Sequence, residues 1–254
     1  MSGVSSAIAA LVDWLMWAFL EIAKLVRDGK RTEKQLEPLK IVIQAIINGK
    51  KVTVTTKALS VKDLSPEEQM ADWVEFYHDE FGLKCDFSSL RIPERREGFD
   101  RLIVVKEGLS VEEVFQECAE RFQSCKYYNV PLDKLCVHND RDAQDGPYSI
   151  WVKDGCAEDA LGASAGWVKG RLAGITLLER LLLELKYFSE TGRHPDWFDR
   201  RGYSRRKSRV TVCSGSSDKN GYSPTVIWVD GNLLIQWISD DYPQRDFAFR
   251  EVIA

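Results

Sequence analysis

No two of the six cysteines, Cys85, Cys118, Cys125, Cys136, Cys156 and Cys213, are spaced as C-x-x-C. That removes the zinc knuckle and the dithiol redox motif. Cys125, Cys136, His138 and Cys156 match no zinc-ligand spacing either. The chain has no G-x-S-x-G, no H-E-x-x-H and no Walker sequence, so the common hydrolase, metalloprotease and phosphate-loop signatures are missing. No cofactor is expected. Internal repeats and low-complexity tracts are lacking, which excludes solenoids and arrays. The start, MSGVSSAIAALVDW, has no basic leader and carries Asp13 inside its apolar run. No secretory signal is expected from it, and reduced thiols in a cytoplasmic protein are the simplest reading.

What is present suits a folded, water-facing protein. Of 254 residues, 44% are hydrophobic and 29% charged, enough for a core and a polar surface. The formal net charge of -4 shows that the whole molecule is not built to grip a polyanion.

The stretch Gly174 to Gly192, GITLLERLLLELKYFSETG, organises the rest. Leu177, Leu178, Leu181, Leu182, Leu185 and Phe188 share one helical face, with Leu183 and Tyr187 nearly opposite. A helix apolar on two sides is covered on both, so a central core helix is predicted over about 175–190. Arg180 and Glu184 stand at i,i+4 and can pair. Gly192 suits the left-handed turn that ends it.

Residues 5–27 form a strongly apolar helical pattern interrupted by Asp13, Glu21 and Lys24. A membrane span needs roughly 20 apolar residues with few charges. A buried or partner-facing helix is expected instead, and a membrane partner is not. With a second helix ending at Asn48-Gly49 it makes a hairpin over residues 1–50. Packing on the main domain, self-association or a protein partner would cover its apolar face. Residues 51–64 read as a linker or strand, and 65–254 as an α+β domain. Ser65-Pro66-Glu67-Glu68 and Ser110-Val111-Glu112-Glu113 are capping boxes that open helices. Cys118 falls on the apolar stripe of the second and reads as core.

Strands are expected at 102–105, 148–152, 210–213, 225–229 and 232–237, with an edge strand over 247–253. Residues 155–173 read as a loop or irregular helix. Asp230-Gly231 is a two-residue hairpin turn. Its register places Trp228 opposite Leu233 and Val226 opposite Ile235, all on one face. Strands and helices do not alternate regularly. The fold class is α+β: a mostly antiparallel sheet packed on the central helix, with the N-terminal helical hairpin in front.

The wording of several motifs, NDRD, GPYSIWVKD, GITLLERLLLELKYFSETG, VTVCSG, FDRLIVVKEGLS and the W-V-D-G hairpin, resembles a family of uncharacterised bacterial proteins. The resemblance covers roughly Ala71 to Ala254. The family has no assigned activity, so it implies no catalytic residues. This chain departs from the pattern at about Pro195 to Arg209, where it is longer and more basic.

That departure is the first candidate site. RHPDWFDRRGYSRRKSR carries Arg193, Arg200, Arg201, Arg205, Arg206, Lys207 and Arg209 against Asp196 and Asp199. The local charge is +5, leaving -9 for the remainder. Trp197, Phe198 and Tyr203 are interleaved with the cations. Guanidinium groups suit phosphates and exposed rings stack on bases. Nucleic acid or another polyanion is the candidate partner. The plainer reading is a solvated loop that neutralises an acidic neighbour. The rival site is His138-Asn139-Asp140-Arg141-Asp142. An imidazole with two carboxylates, His138, Asp140 and Asp142, could hold a divalent cation or act as acid and base in a hydrolase or nuclease. The same residues before Gly146-Pro147 also make an ordinary turn. The Ser214–Gly221 stretch is Gly- and Ser-rich but lies between strands, which favours a turn over a phosphate loop.

Overall fold

The structure is a computed structural model that describes residues 61–196, 209–229 and 231–254. The hairpin expected over 1–50, and most of the expected linker over 51–64, lie outside them. Residues Val61–Asp63 form a single 3-10 turn. All described residues belong to one unit, Leu59–Ala254.

Side-chain caps set the helix starts. Ser65 Oγ accepts from the Glu68 N–H and the Glu68 carboxylate accepts from the Ser65 N–H, opening helix α1 (Pro66–Phe81). Gly82 closes it at φ 65°, a conformation that favours glycine. Ser110 with Glu113 opens α2 (Val111–Arg121) the same way. A short turn, α3 (Ala165–Val168), falls in the stretch expected to be irregular. Thr176 with Glu179 opens α4 (Leu177–Thr191), the predicted central helix.

Among the described residues, three sheets assemble around these helices. Strands β1 (Arg101–Val105), β4 (Tyr148–Val152) and β10 (Val252–Ile253) form an antiparallel sheet in the order β1-β4-β10. A five-stranded sheet has the order β2-β8-β7-β5-β9. Its strands are β2 (Ser124–Lys126), β5 (Val210–Val212), β7 (Ser223–Val229), β8 (Asn232–Ile238) and β9 (Phe247–Ala248). The β2/β8 and β5/β9 pairs are parallel and the other pairs antiparallel. A small ribbon joins β3 (His138–Asn139) to β6 (Ser216–Ser217). The β7–β8 hairpin pairs Trp228 with Leu233 and Val226 with Ile235, as expected, and all four are buried.

The fold is therefore α+β with mostly antiparallel sheets. Helix α4 packs on α2, on β1 of one sheet and on β7 of the other. That explains why every residue from Leu177 to Lys186 is buried. Leu177, Leu181, Leu182 and Leu183 are fully covered, each contributing about 1.5–3 kcal/mol by apolar burial. The segment expected as one edge strand over 247–253 is split instead. Phe247–Ala248 joins one sheet and Val252–Ile253 another, with Arg250 turned into the core between them.

Helix α1 lies along the free edge of β1 and bonds its main chain through side chains. Gln69 Oε1 accepts from the Leu102 N–H at 2.8 Å. Trp73 Nε1 donates to the Leu102 carbonyl at 2.9 Å. The Tyr77 hydroxyl donates to the Val104 carbonyl at 2.8 Å and accepts from the Lys106 N–H at 3.2 Å. No helix among the described residues is long and apolar enough to cross a membrane.

Candidate functional site

The basic segment is rooted in a buried ionic cluster. Arg180, on α4, pairs with Glu184 one turn later at 2.7 Å. It also pairs with Asp196 at 2.8 Å. Arg250 reaches the other Asp196 oxygen at 3.0 Å and donates to the carbonyls of Lys153 and Gly155, both at 2.7 Å. The Asp196 carboxylate further accepts from the Ala157 N–H at 2.8 Å and from the Thr211 hydroxyl. Arg180, Glu184, Asp196 and Arg250 are each no more than 1% exposed.

Two guanidiniums and two carboxylates make this cluster neutral as a unit. Charges so deep survive only when they are paired and hydrogen-bonded. Burial alone would raise the Asp196 pKa. The Arg180 and Arg250 charges, with the Thr211 and Ala157 hydrogen bonds, outweigh it and hold the carboxyl down at about 2. Burial would likewise lower the Arg180 pKa, but Asp196 and Glu184 raise it above the usual range.

The Glu184 carboxylate extends the cluster. It accepts from Trp228 Nε1 at 3.0 Å and meets His194 Nδ1 at 2.7 Å. The His194 ring lies between Trp228 and Phe188, with centroids 3.6 and 5.0 Å away. Both His194 and Asp196 are thus held by the core, just before the cationic run begins. On the far side, Arg209 donates its N–H to the Asp196 carbonyl at 3.1 Å, and its guanidinium lies 3.8 Å from Glu158.

Of the predicted binding residues, Arg193 is exposed and Arg209 lies at the base. Trp197, Arg200, Arg201, Tyr203, Arg205, Arg206 and Lys207 lie outside the described residues. Asp196, which reads in the sequence as one more solvated charge of a polar loop, is a core residue.

The rival constellation is not assembled. His138 and Asp140 border a small cleft of about 260 Å³ with Lys169 and the Ser214–Ser217 turn. Asp142 is not part of it. Its carboxylate accepts from the Gln144 N–H at 2.9 Å, capping the 3-10 turn Ala143–Asp145. Among the described residues no three His, Cys, Asp or Glu side chains group as a metal site. The inward residue of the motif is the one between them. Arg141 forms a bidentate pair with the buried Glu179, at 2.7 and 2.9 Å, and donates to the Gly174 carbonyl at 2.6 Å. Glu179 is also the residue that closes the α4 capping box, so one carboxylate fixes both a helix start and a guanidinium.

The Ser-rich stretch is more than a turn. Ser216 pairs with Asn139 across the β3–β6 ribbon, and its hydroxyl accepts from the Leu177 N–H at 3.0 Å. Ser214 and Gly215 approach Gly174 so closely that a side chain at Gly174 would overlap Ser214 Oγ.

The sequence reading missed Asp196, Arg250, Arg141 and Glu179. A weak signal existed for Arg250, a cation set among Phe247, Phe249 and Val252. Comparison of the chain with family models, with curated proteins and with solved structures finds no match.

Proposed function

We propose that this protein is a non-catalytic binding or accessory protein that holds nucleic acid, or a similar polyanion, with the Arg193–Arg209 segment. One observation carries the reading. Asp196, one of the segment's two carboxylates, is neutralised inside the core by Arg180 and Arg250. The run from 197 to 208 then keeps five cations against Asp199, a net charge of +4 with Trp197, Phe198 and Tyr203 among them. The described residues on either side of that run, Asp196 and Arg209, are joined by a main-chain hydrogen bond. Arginine donors match phosphate oxygens in pairs, and the interleaved rings suit unstacked bases.

A cytoplasmic setting fits six cysteines that are all unpaired. The apolar hairpin expected over 1–50 would supply a self-association or protein-partner surface. A metal-dependent hydrolase using His138, Asp140 and Asp142 has less support, because those side chains do not group.

The test is a gel shift of the full chain with single- and double-stranded oligonucleotides at low salt. Binding is expected, weakening as salt rises, with log K falling by about 0.7–0.9 per log salt for each phosphate neutralised. Changing Arg200, Arg201, Arg205 and Arg206 to Ala should abolish it. Failure to bind, or equal binding by that variant, rejects the proposal.

A further inference from the structure

A second cationic site lies elsewhere on the fold. A cleft of about 920 Å³ opens between the irregular stretch 83–100 and the start of β4. Four guanidiniums line it, Arg91, Arg95, Arg96 and Arg141, against the single carboxylate side chain of Glu94. None of the described residues of the basic segment, 193–196 and 209, does.

The cleft is built rather than incidental. Its outer wall is fastened to β4 by two side chains. The Ser149 hydroxyl donates to the Arg91 carbonyl at 3.3 Å, and Trp151 Nε1 donates to the Pro93 carbonyl at 2.9 Å. Arg95 is ion-paired with Asp100 and lies over the Trp151 ring, 5.4 Å from its centroid. On the inner wall Arg141 is oriented by Glu179 and the Gly174 carbonyl, which use Nε and Nη2. Its Nη1 group makes no hydrogen bond among the described residues and keeps two donors for a ligand. Arg91 and Arg96 are exposed, without an ion pair among the described residues, and complete the set.

We infer that this cleft binds a small phosphate-bearing molecule with a flat apolar body, of the nucleotide class. The volume falls within the range of small-molecule sites, about 300–1,000 Å³. Arginine's planar fork matches two phosphate oxygens at once, and several such forks favour a multiply charged phosphoryl group over a single carboxylate. Leu90, Pro147 and Ile253 supply an apolar surface beside the cations, a place for a ring. The Tyr148 hydroxyl lies at the base beside Glu179 and Thr176. Burial, then the Glu179 charge, raises its pKa well above the ordinary range, so it stays protonated beside an anion.

The experiment is calorimetric titration of the full chain with adenosine diphosphate, inorganic pyrophosphate, adenosine and citrate. Adenosine diphosphate is expected to bind more tightly than pyrophosphate, with adenosine and citrate much weaker. The double variant Arg91→Gln, Arg96→Gln should bind it at least about tenfold more weakly. Both changed side chains are exposed, so the variant should keep its melting temperature. The ligand should raise the melting temperature of the unaltered chain and leave that of the variant where it was. The Arg200, Arg201, Arg205, Arg206 variant should bind adenosine diphosphate normally, which separates this site from the basic segment. No heat with adenosine diphosphate at millimolar concentration overturns the inference, as does unchanged affinity in the double variant. Citrate binding as tightly overturns the phosphate assignment, and pyrophosphate binding as tightly overturns the ring-bearing body.

Discussion

The main-chain N–H of Arg209 donates to the carbonyl of Asp196 at 3.1 Å, which joins the described residues on either side of 197–208. The same Asp196 sends its carboxylate inward to two arginines. One residue thus closes the base of the basic segment and fixes that base to the central helix.

Replacing Asp196 with Ala should therefore be severe. It leaves the buried Arg250 guanidinium without a carboxylate and Arg180 with only Glu184. Removing one partner of a buried pair costs about 3–5 kcal/mol. Denaturant unfolding of the variant checks this, and a loss under about 1 kcal/mol would contradict the cluster's role. The nucleic-acid affinity of the surviving folded fraction should also fall.

The same carboxyl sets an acid limit. Its folded-state pKa of about 2 lies below the ordinary 3.8. A depressed carboxyl contributes stability that is complete above its ordinary value and is lost as pH falls through the folded one. The window is therefore about 3.8 down to about 2, and the loss is on the order of 2 kcal/mol. Urea midpoints measured across it should drop for the unaltered chain and more shallowly for Asp196→Asn.

Gly174 and Gly215 allow the Ser-rich turn to press on the start of α4. A Cβ at Gly174 would sit 2.0 Å from Ser214 Oγ, and one at Gly215 2.5 Å from the Gly174 carbonyl. Gly174→Ala and Gly215→Ala should each destabilise by about 1–3 kcal/mol through overpacking. Adding Ser214→Gly should recover part of the Gly174→Ala loss, because a side-chain hydroxyl is the first obstacle there. It should not recover Gly215→Ala, where the obstacle is backbone. Melting temperatures of the four variants decide.

Thiol labelling tests the burial pattern. Cys125 is exposed and should react first with a thiol reagent. Cys118, Cys136 and Cys213 are buried, and desolvation pushes their pKa values up, Cys136 to about 12. Reagents attack the thiolate, so these three should stay unmodified until the chain unfolds. Peptide mapping of the labelled protein gives the order.

Local chemistry made much of the fold legible. Ser65-Pro66 and Ser110 marked helix starts, Gly192 marked an end, and Asp230-Gly231 set a hairpin register down to the pair. The Arg180–Glu184 spacing announced its pairing. What stayed hidden depends on residues far apart in the chain. Asp196 and Arg250 are separated by 54 positions, and a carboxylate inside an arginine-rich stretch has no local mark of burial. In His138–Asp142 the chemistry-bearing types drew notice to the carboxylates, although the residue directed inward is Arg141. Strand β2 is three residues long, too short to carry a legible pattern, and is defined by its partner β8.

The row of contacts from Gln69, Trp73 and Tyr77 to β1 depends on a match of periods. Four helical residues rise about 6 Å, and two strand residues advance about 6.7 Å. Side chains spaced by four on α1 can therefore meet successive outward-facing groups of a strand, so the helix stands where a neighbouring strand would. An open edge invites pairing with another chain. Here the Leu102 and Val104 carbonyls and the Leu102 and Lys106 amides are already engaged. This side of the sheet is closed to strand-by-strand growth, and α1 shields it from intermolecular β-association.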